Sequence, residues 1–191
     1  MKSVCVFCGS NVGRDPAYLK AAITAGEVIA RSGLAIVYGG GRIGLMGAVA
    51  DAGLAAGGRV VGVMPRALFE REIAHSGLSE LRVVETMHER KQTMANLADG
   101  FLALPGGAGT LEEFFEQWTW AQLGIHAKPC GLLNVKDYFQ PLLALIENIV
   151  ADGFMAQTYF DMLIVEPAVE PLLMRFKTYS PPPRKWRAPK P

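Results

Sequence analysis

Three glycine-rich turns and two short charged clusters hold most of the chemistry this sequence could perform. Gly9-Ser10-Asn11, Gly39-Gly40-Gly41-Arg42-Ile43-Gly44 and Pro105-Gly106-Gly107-Ala108-Gly109-Thr110 each follow an apolar run. Glycine lets the backbone approach a ligand closely, and the last two turns lead into helical patterns, whose free N–H groups and dipole favour an anion. Together they describe a phosphate-binding surface. The third turn also couples its cradle to a carboxylate, Glu113, three residues beyond Thr110. Thr110 is expected both to cap that helix and to offer its hydroxyl to a phosphate. Thr110-x-x-Glu113 is equally the pattern of a capping box, so a purely structural use of the pair stands beside the chemical one. The second cluster, Met87-His88-Glu89-Arg90-Lys91, opens another helix with adjacent cations. Cations there oppose the helix dipole, which hints at an anionic ligand.

Several other chemistries have a weaker footing. Gly39, Gly41 and Gly44 satisfy the G-x-G-x-x-G dinucleotide fingerprint, but they follow the second strand-like run, and the next run ends Val63-Met64-Pro65-Arg66 without the acid that would hold ribose hydroxyls. The same glycines could simply pack a helix against a strand. No glycine turn is followed by a Walker lysine, which argues against a nucleoside triphosphatase. Cys5-Val6-Phe7-Cys8 has C-x-x-C spacing, yet it lies in an apolar run, where a three-residue offset sends the two sulfurs to opposite faces of a strand. Cys5, Cys8 and Cys130 are expected as buried packing residues. With His75, His88 and His126 scattered along the chain, no zinc ligand set can be assembled. No metal or cofactor is expected. His88 and His126 read as hydrogen-bonding residues, and Met87, Met94 and the stripe Leu111, Phe114, Phe115 and Trp118 read as core.

The positioning elements follow from periodicity. Apolar, partly β-branched runs at 3–8, 34–38, 59–64, 81–84, 101–104, 130–135 and 162–165 alternate with helical patterns. Asp15 caps and Pro16 opens a helix reaching residue 32, and others are expected over 43–56, 86–99, 110–123, 138–151 and 167–178. Thr86-x-x-Glu89 is a capping box. Such alternation implies a Rossmann-like, doubly wound α/β fold: a mostly parallel sheet with helices on both faces. Residues 65–80 fit neither period and are expected as an irregular or short helical excursion.

Composition bounds the function classes. The chain has 191 residues, 50% hydrophobic and 19% charged, long enough to bury a core without disulfides or metal. No apolar run approaches the roughly 18 residues of a membrane span, so a membrane partner is not expected, and the apolar run after Lys2 breaks too soon at Gly9 for a secretory segment, so a cytoplasmic home is expected. The 19 basic residues against 18 acidic include Arg184, Lys185, Arg187 and Lys190, leaving the body slightly acidic, unlike a nucleic-acid binder. One domain is expected over 1–179, followed by a proline-rich basic tail, 180–191, that cannot form a helix.

Pro105-Gly106-Gly107-x-Gly109-Thr110-x-x-Glu113 and Met87-His88-x-Arg90-Lys91 resemble the paired motifs of the LONELY GUY type cytokinin riboside 5'-monophosphate phosphoribohydrolases, a family also labelled possible lysine decarboxylases. The likeness extends to Val4-Cys5-Val6-Phe7-Cys8-Gly9-Ser10, Tyr38-Gly39-Gly40-Gly41, Arg71-Glu72-Ile73 and the stretch from Thr119 to His126. It covers residues 1–178. The resemblance implies hydrolysis of the N-glycosidic bond of an adenosine 5'-monophosphate, plain or N6-prenylated, to free base and ribose 5-phosphate. It implies Arg90 and Glu113 as the catalytic pair and Gly107, Ala108, Gly109 and Thr110 as the phosphate cradle. Glu72, Lys91, Leu111, Glu112 and Thr119 fall within its substrate-binding positions, with further loop contacts expected from Gly9, Ser10, Gly40 and Gly41. Family members are commonly dimers or larger, which implies self-association, and relatives on the same fold carry a molybdenum cofactor, so a non-catalytic nucleotide or cofactor carrier is the alternative. No lysine is marked as a pyridoxal Schiff-base site, so the decarboxylase label has no support in the residues.

Overall fold

A computed structural model describes residues 1–70 and 74–182. Seven strands, β1 (Ser3–Phe7), β2 (Ala35–Tyr38), β3 (Val60–Pro65), β4 (Glu80–Val84), β5 (Phe101–Ala103), β6 (Cys130–Leu133) and β7 (Leu163–Glu166), form one parallel sheet in the order β4-β3-β2-β1-β5-β6-β7. Each lies on an expected apolar run, and the doubly wound α/β class is borne out. The helices are α1 (Pro16–Arg31), α2 (Gly44–Ala55), α3 (Arg66–Phe69), α4 (Met87–Leu97), α5 (Ala108–Leu123), α6 (Gln140–Ala151), α7 (Gln157–Asp161) and α8 (Val169–Lys177).

Strand alternation divides the core in two. Val4, Val6 and Cys8 face one side with Ile29 of α1, Val49 of α2 and Leu172 of α8. Cys5 and Phe7 face the other with Met94 of α4, Phe114 and Trp118 of α5, and Ile146 of α6. Cys5 and Cys8 therefore do diverge, and all three cysteines are buried and free. Among the described residues no helix is long and apolar enough to cross a membrane.

Local signals explain most helix ends. Asp15 caps α1, its Oδ1 accepting the Ala17 N–H at 2.9 Å with Pro16 at the first position. Thr86 caps α4 by accepting the Glu89 N–H at 3.1 Å, while Glu89 accepts from the Glu85 N–H at 2.8 Å, one residue short of the reciprocal bond of a full capping box. The capping box that Thr110 and Glu113 offered as an alternative does not form. Helix α5 starts two residues earlier, with Gly107 at its N-cap and no side-chain cap, so Thr110 lies inside the first turn. Helix α6 begins at Gln140 rather than Tyr138 because a 3-10 turn, Val135–Asp137, intervenes. The five-residue α7 is too short to show a period in the sequence. Between β3 and β4 the described residues form the four-residue α3 and a single bridge at Ala74, and residues 71–73 lie outside the described ones. Of the 180–191 tail, residues 183–191 lie outside the described residues.

Strand order reverses between β1 and β5. Beyond the carboxyl ends of these strands the loops diverge and leave a crevice, the usual ligand position in such sheets. The loops are stitched at its base, where the Gly9 N–H donates to the Pro105 carbonyl at 3.1 Å.

Candidate active site

The crevice is a cleft of about 350 Å³ lined by Cys8, Ser10, Met46, Met87, Arg90, residues 107–110, Glu112 and Glu113. One wall is the amino end of α5. The first intrahelical bond there runs from the Leu111 N–H to the Gly107 carbonyl, and the N–H groups of Gly107, Ala108, Gly109 and Thr110 donate to no described residue. A Cβ built at Gly107 or at Gly109 would meet nothing within 4 Å, so neither glycine serves packing. Four unpaired donors on a sixteen-residue helix, with open space before them, have the geometry to accept an anion.

Facing these donors, α4 and α5 bring together Arg90 and Glu113. Arg90 donates from Nε to the Val63 carbonyl at 3.1 Å and from Nη1 to Glu113 Oε1 at 2.9 Å. Both side chains are nearly buried, 11% and 13% exposed. Burial pushes the Glu113 carboxyl above its usual 4.5, an effect that the Arg90 charge opposes and the Glu112 and Glu116 carboxylates reinforce. Gly39 makes room for the arginine: a Cβ there would lie 2.0 Å from Arg90 Nη2. A buried ion pair gains little stability over an apolar pair of similar volume, so this pair in a cleft is a candidate for chemistry.

Other sequence-based candidates are distributed around this centre. Lys91 does not line the cleft; it bonds Glu112 and Glu116, the latter at 3.0 Å. Burial alone would lower the Lys91 pKa, but those two hydrogen bonds outweigh it and keep the ammonium charged. Leu111 packs against the core, and Thr119 is exposed, outside the cleft lining. Gly9 lies just beside the cleft, against Pro105 and Gly106. Gly40 and Gly41 stand back from it. The Gly40 carbonyl accepts the His75 N–H at 2.9 Å, and Gly41 bridges to Ala74. Gly44 serves packing, since a Cβ would lie 2.2 Å from the Ser10 carbonyl carbon. Glu72 and its neighbours Arg71 and Ile73 lie outside the described residues.

Some expectations need correcting. Met94 is core, but Met87, at the first position of α4, is 45% exposed and lines the cleft one turn before Arg90. Its place at a helix start, where side chains look out over the cap, was the signal for this. Cys8 also lines the cleft, as a thiol held neutral by burial and by the Glu113 charge. His126 does hydrogen-bond backbone, accepting the Lys128 N–H at 3.2 Å. No described group of His, Cys, Asp and Glu could hold a metal ion, and no described lysine lines the cleft.

Residues 46–176 match the sequence model of a family described as possible lysine decarboxylase. The chain is 52% identical over 170 residues to the cytokinin riboside 5'-monophosphate phosphoribohydrolase of Rhodococcoides fascians, covering 88% of this chain and 86% of that one. It is 46% identical over 180 residues to the enzyme of that name from Oryza sativa subsp. japonica, covering 94% and 74%. Among solved structures, the molybdenum cofactor binding protein from the phototrophic bacterium Rippkaea orientalis superposes with a TM-score of 0.70 over 93% of this chain and 97% of that one. At 21% identity that likeness speaks to fold alone.

Proposed function

Because the chain belongs to the family of cytokinin riboside 5'-monophosphate phosphoribohydrolases, whose sequence model is described as possible lysine decarboxylase, we propose that it hydrolyses an adenosine 5'-monophosphate, plain or N6-modified, at its N-glycosidic bond. Water adds its hydroxyl to the ribose C1' and its proton to the departing base, yielding free base and ribose 5-phosphate. The observation that carries this reading is the buried Arg90–Glu113 pair standing beside the unpaired N–H groups of α5.

The phosphate occupies the amino end of α5, where remote binding energy fixes the sugar relative to Glu113. As the glycosidic bond lengthens, positive charge grows on the ribose, and the Glu113 carboxylate stabilises it and orients or deprotonates the attacking water. Arg90 holds that carboxylate in place and lines the same cleft, where its positive charge complements an anionic substrate. A carrier needs neither residue, which favours hydrolysis over carriage. Self-association into a dimer or larger assembly belongs to the same proposal, and sedimentation at micromolar concentration tests it.

The direct test is incubation with adenosine 5'-monophosphate, its N6-prenylated form and adenosine, with chromatography for free base. Base is expected from both monophosphates and far more slowly from adenosine. Equal turnover of adenosine and its monophosphate contradicts the phosphate seat, and no base from any of them contradicts hydrolysis.

A further inference from the structure

We propose that Tyr138 is a positioning residue for the anion seat, its phenol holding the peptide between Gly106 and Gly107 so that the Gly107 N–H faces the ligand. The inference rests on the reading that residues 107–110 hold the substrate phosphate. The Tyr138 hydroxyl donates to the Gly106 carbonyl at 2.6 Å. A trans peptide is planar, with its C=O and N–H pointing in opposite directions. Fixing the carbonyl toward Tyr138 therefore turns the Gly107 N–H away from it, the first of the four unpaired donors at the start of α5. The hydroxyl also occupies a carbonyl oxygen whose partial negative charge would otherwise stand free near the anion.

Beneath this peptide there is no slack. A Cβ at Gly106 would lie 2.2 Å from Thr110 Oγ1 and 2.8 Å from the Gly9 nitrogen, so the loop is pressed from below and tied from above. Tyr138 is itself held from several directions. It follows Lys136 and Asp137, both left-handed at φ 50° and 57°, a conformation uncommon for residues other than glycine. The Lys136 ammonium donates to Asp15 Oδ2 at 2.7 Å, on the carboxylate that caps α1. The next residue, Phe139, is buried in the core, and its N–H donates to Asn134 Oδ1 at 2.7 Å. Edge-on contact with Tyr18, at 5.7 Å between ring centres, completes the brace. Tyr138 as a residue is 39% exposed, so core packing does not explain it, and a phenylalanine would fill the same place. It lines a second cleft of about 270 Å³ that joins the first along Ser10 and Gly107.

Tyr138→Phe removes one oxygen and leaves the ring, the turn and the Tyr18 contact. The expected result is a rise of about tenfold in KM for adenosine 5'-monophosphate with kcat little changed, the scale of one hydrogen bond to a charged ligand. Inhibition by inorganic phosphate should weaken in parallel, while adenosine turnover and the melting temperature stay at wild-type values. Unchanged KM and unchanged phosphate inhibition would overturn the proposal, as would equal losses on adenosine and its monophosphate. If wild type released no base at all, the proposed reaction would fall, and calorimetric titration of both proteins with inorganic phosphate would still decide the role of Tyr138.

Discussion

Arg90 serves two acceptors at once, the Val63 carbonyl through Nε and Glu113 through Nη1, and a lysine ammonium at the end of a flexible stem cannot reproduce that fork. Arg90→Lys is therefore expected to lower kcat/KM by about a hundredfold or more. Lys91→Arg should retain most activity, because Lys91 meets Glu112 and Glu116 and stays off the cleft wall. Steady-state kinetics on the two variants, with melts to verify folding, decide the ranking; a dead Lys91→Arg beside a nearly normal Arg90→Lys would place the essential cation at Lys91 instead. Glu113 also sets a pH dependence. Its carboxyl ionises above 4.5, and the ionised form is the one that stabilises ribose charge, so kcat/KM should fall on acidification through a pH above the free glutamate value. An acid limb at or below 4.5 would contradict that assignment.

Among the elements, the start of α5 and the end of β2 show what the glycines are for. At Gly109 a Cβ has open space in the free protein, so Gly109→Ala should raise stability by up to about 1 kcal/mol, the helix gain of alanine over glycine, while raising KM by intruding on the phosphate. Melting curves and kinetics on one preparation test both halves, and a KM that stays at the wild-type value would remove Gly109 from the seat. Gly39→Ala should do the reverse, displacing Arg90 and abolishing turnover, because its Cβ has no space. The strands were legible in the sequence because their apolar runs are continuous, as in a sheet buried on both faces. Legible too was the phosphate surface at the three glycine turns. The true start of α5 was not, since Thr110-x-x-Glu113 matches a capping box and only tertiary structure shows Arg90 taking the Glu113 carboxylate. The role of Gly39 was equally hidden, because its neighbour Arg90 lies 51 positions away in sequence. Tyr138 gave no signal, since a lone tyrosine before a helix has no pattern to read.

For the molecule as a whole, the reversal of strand order between β1 and β5 is what opens the cleft, and every group of the proposed mechanism sits on loops or in the first two turns of helices at that edge. The body beneath has its own pH response. Burial, then the neighbouring Lys128 ammonium, hold His126 near a pKa of about 4, below the usual 6.5. The unfolded chain thus binds a proton across that interval when the folded one does not, so stability should rise with pH from about 4 to 6.5. His126→Gln should flatten that part of a melting-temperature profile; an equally steep slope in the variant would assign it to other groups. The account as a whole rests on the negative charge of one carboxylate. Single-turnover release of base from adenosine 5'-monophosphate by Glu113→Gln measures that charge most directly, because the amide keeps the size of the side chain and can still accept from Arg90. The rate should fall by at least about a hundredfold, with substrate binding changed only slightly and the fold intact. Retention of most of the wild-type rate would contradict the account.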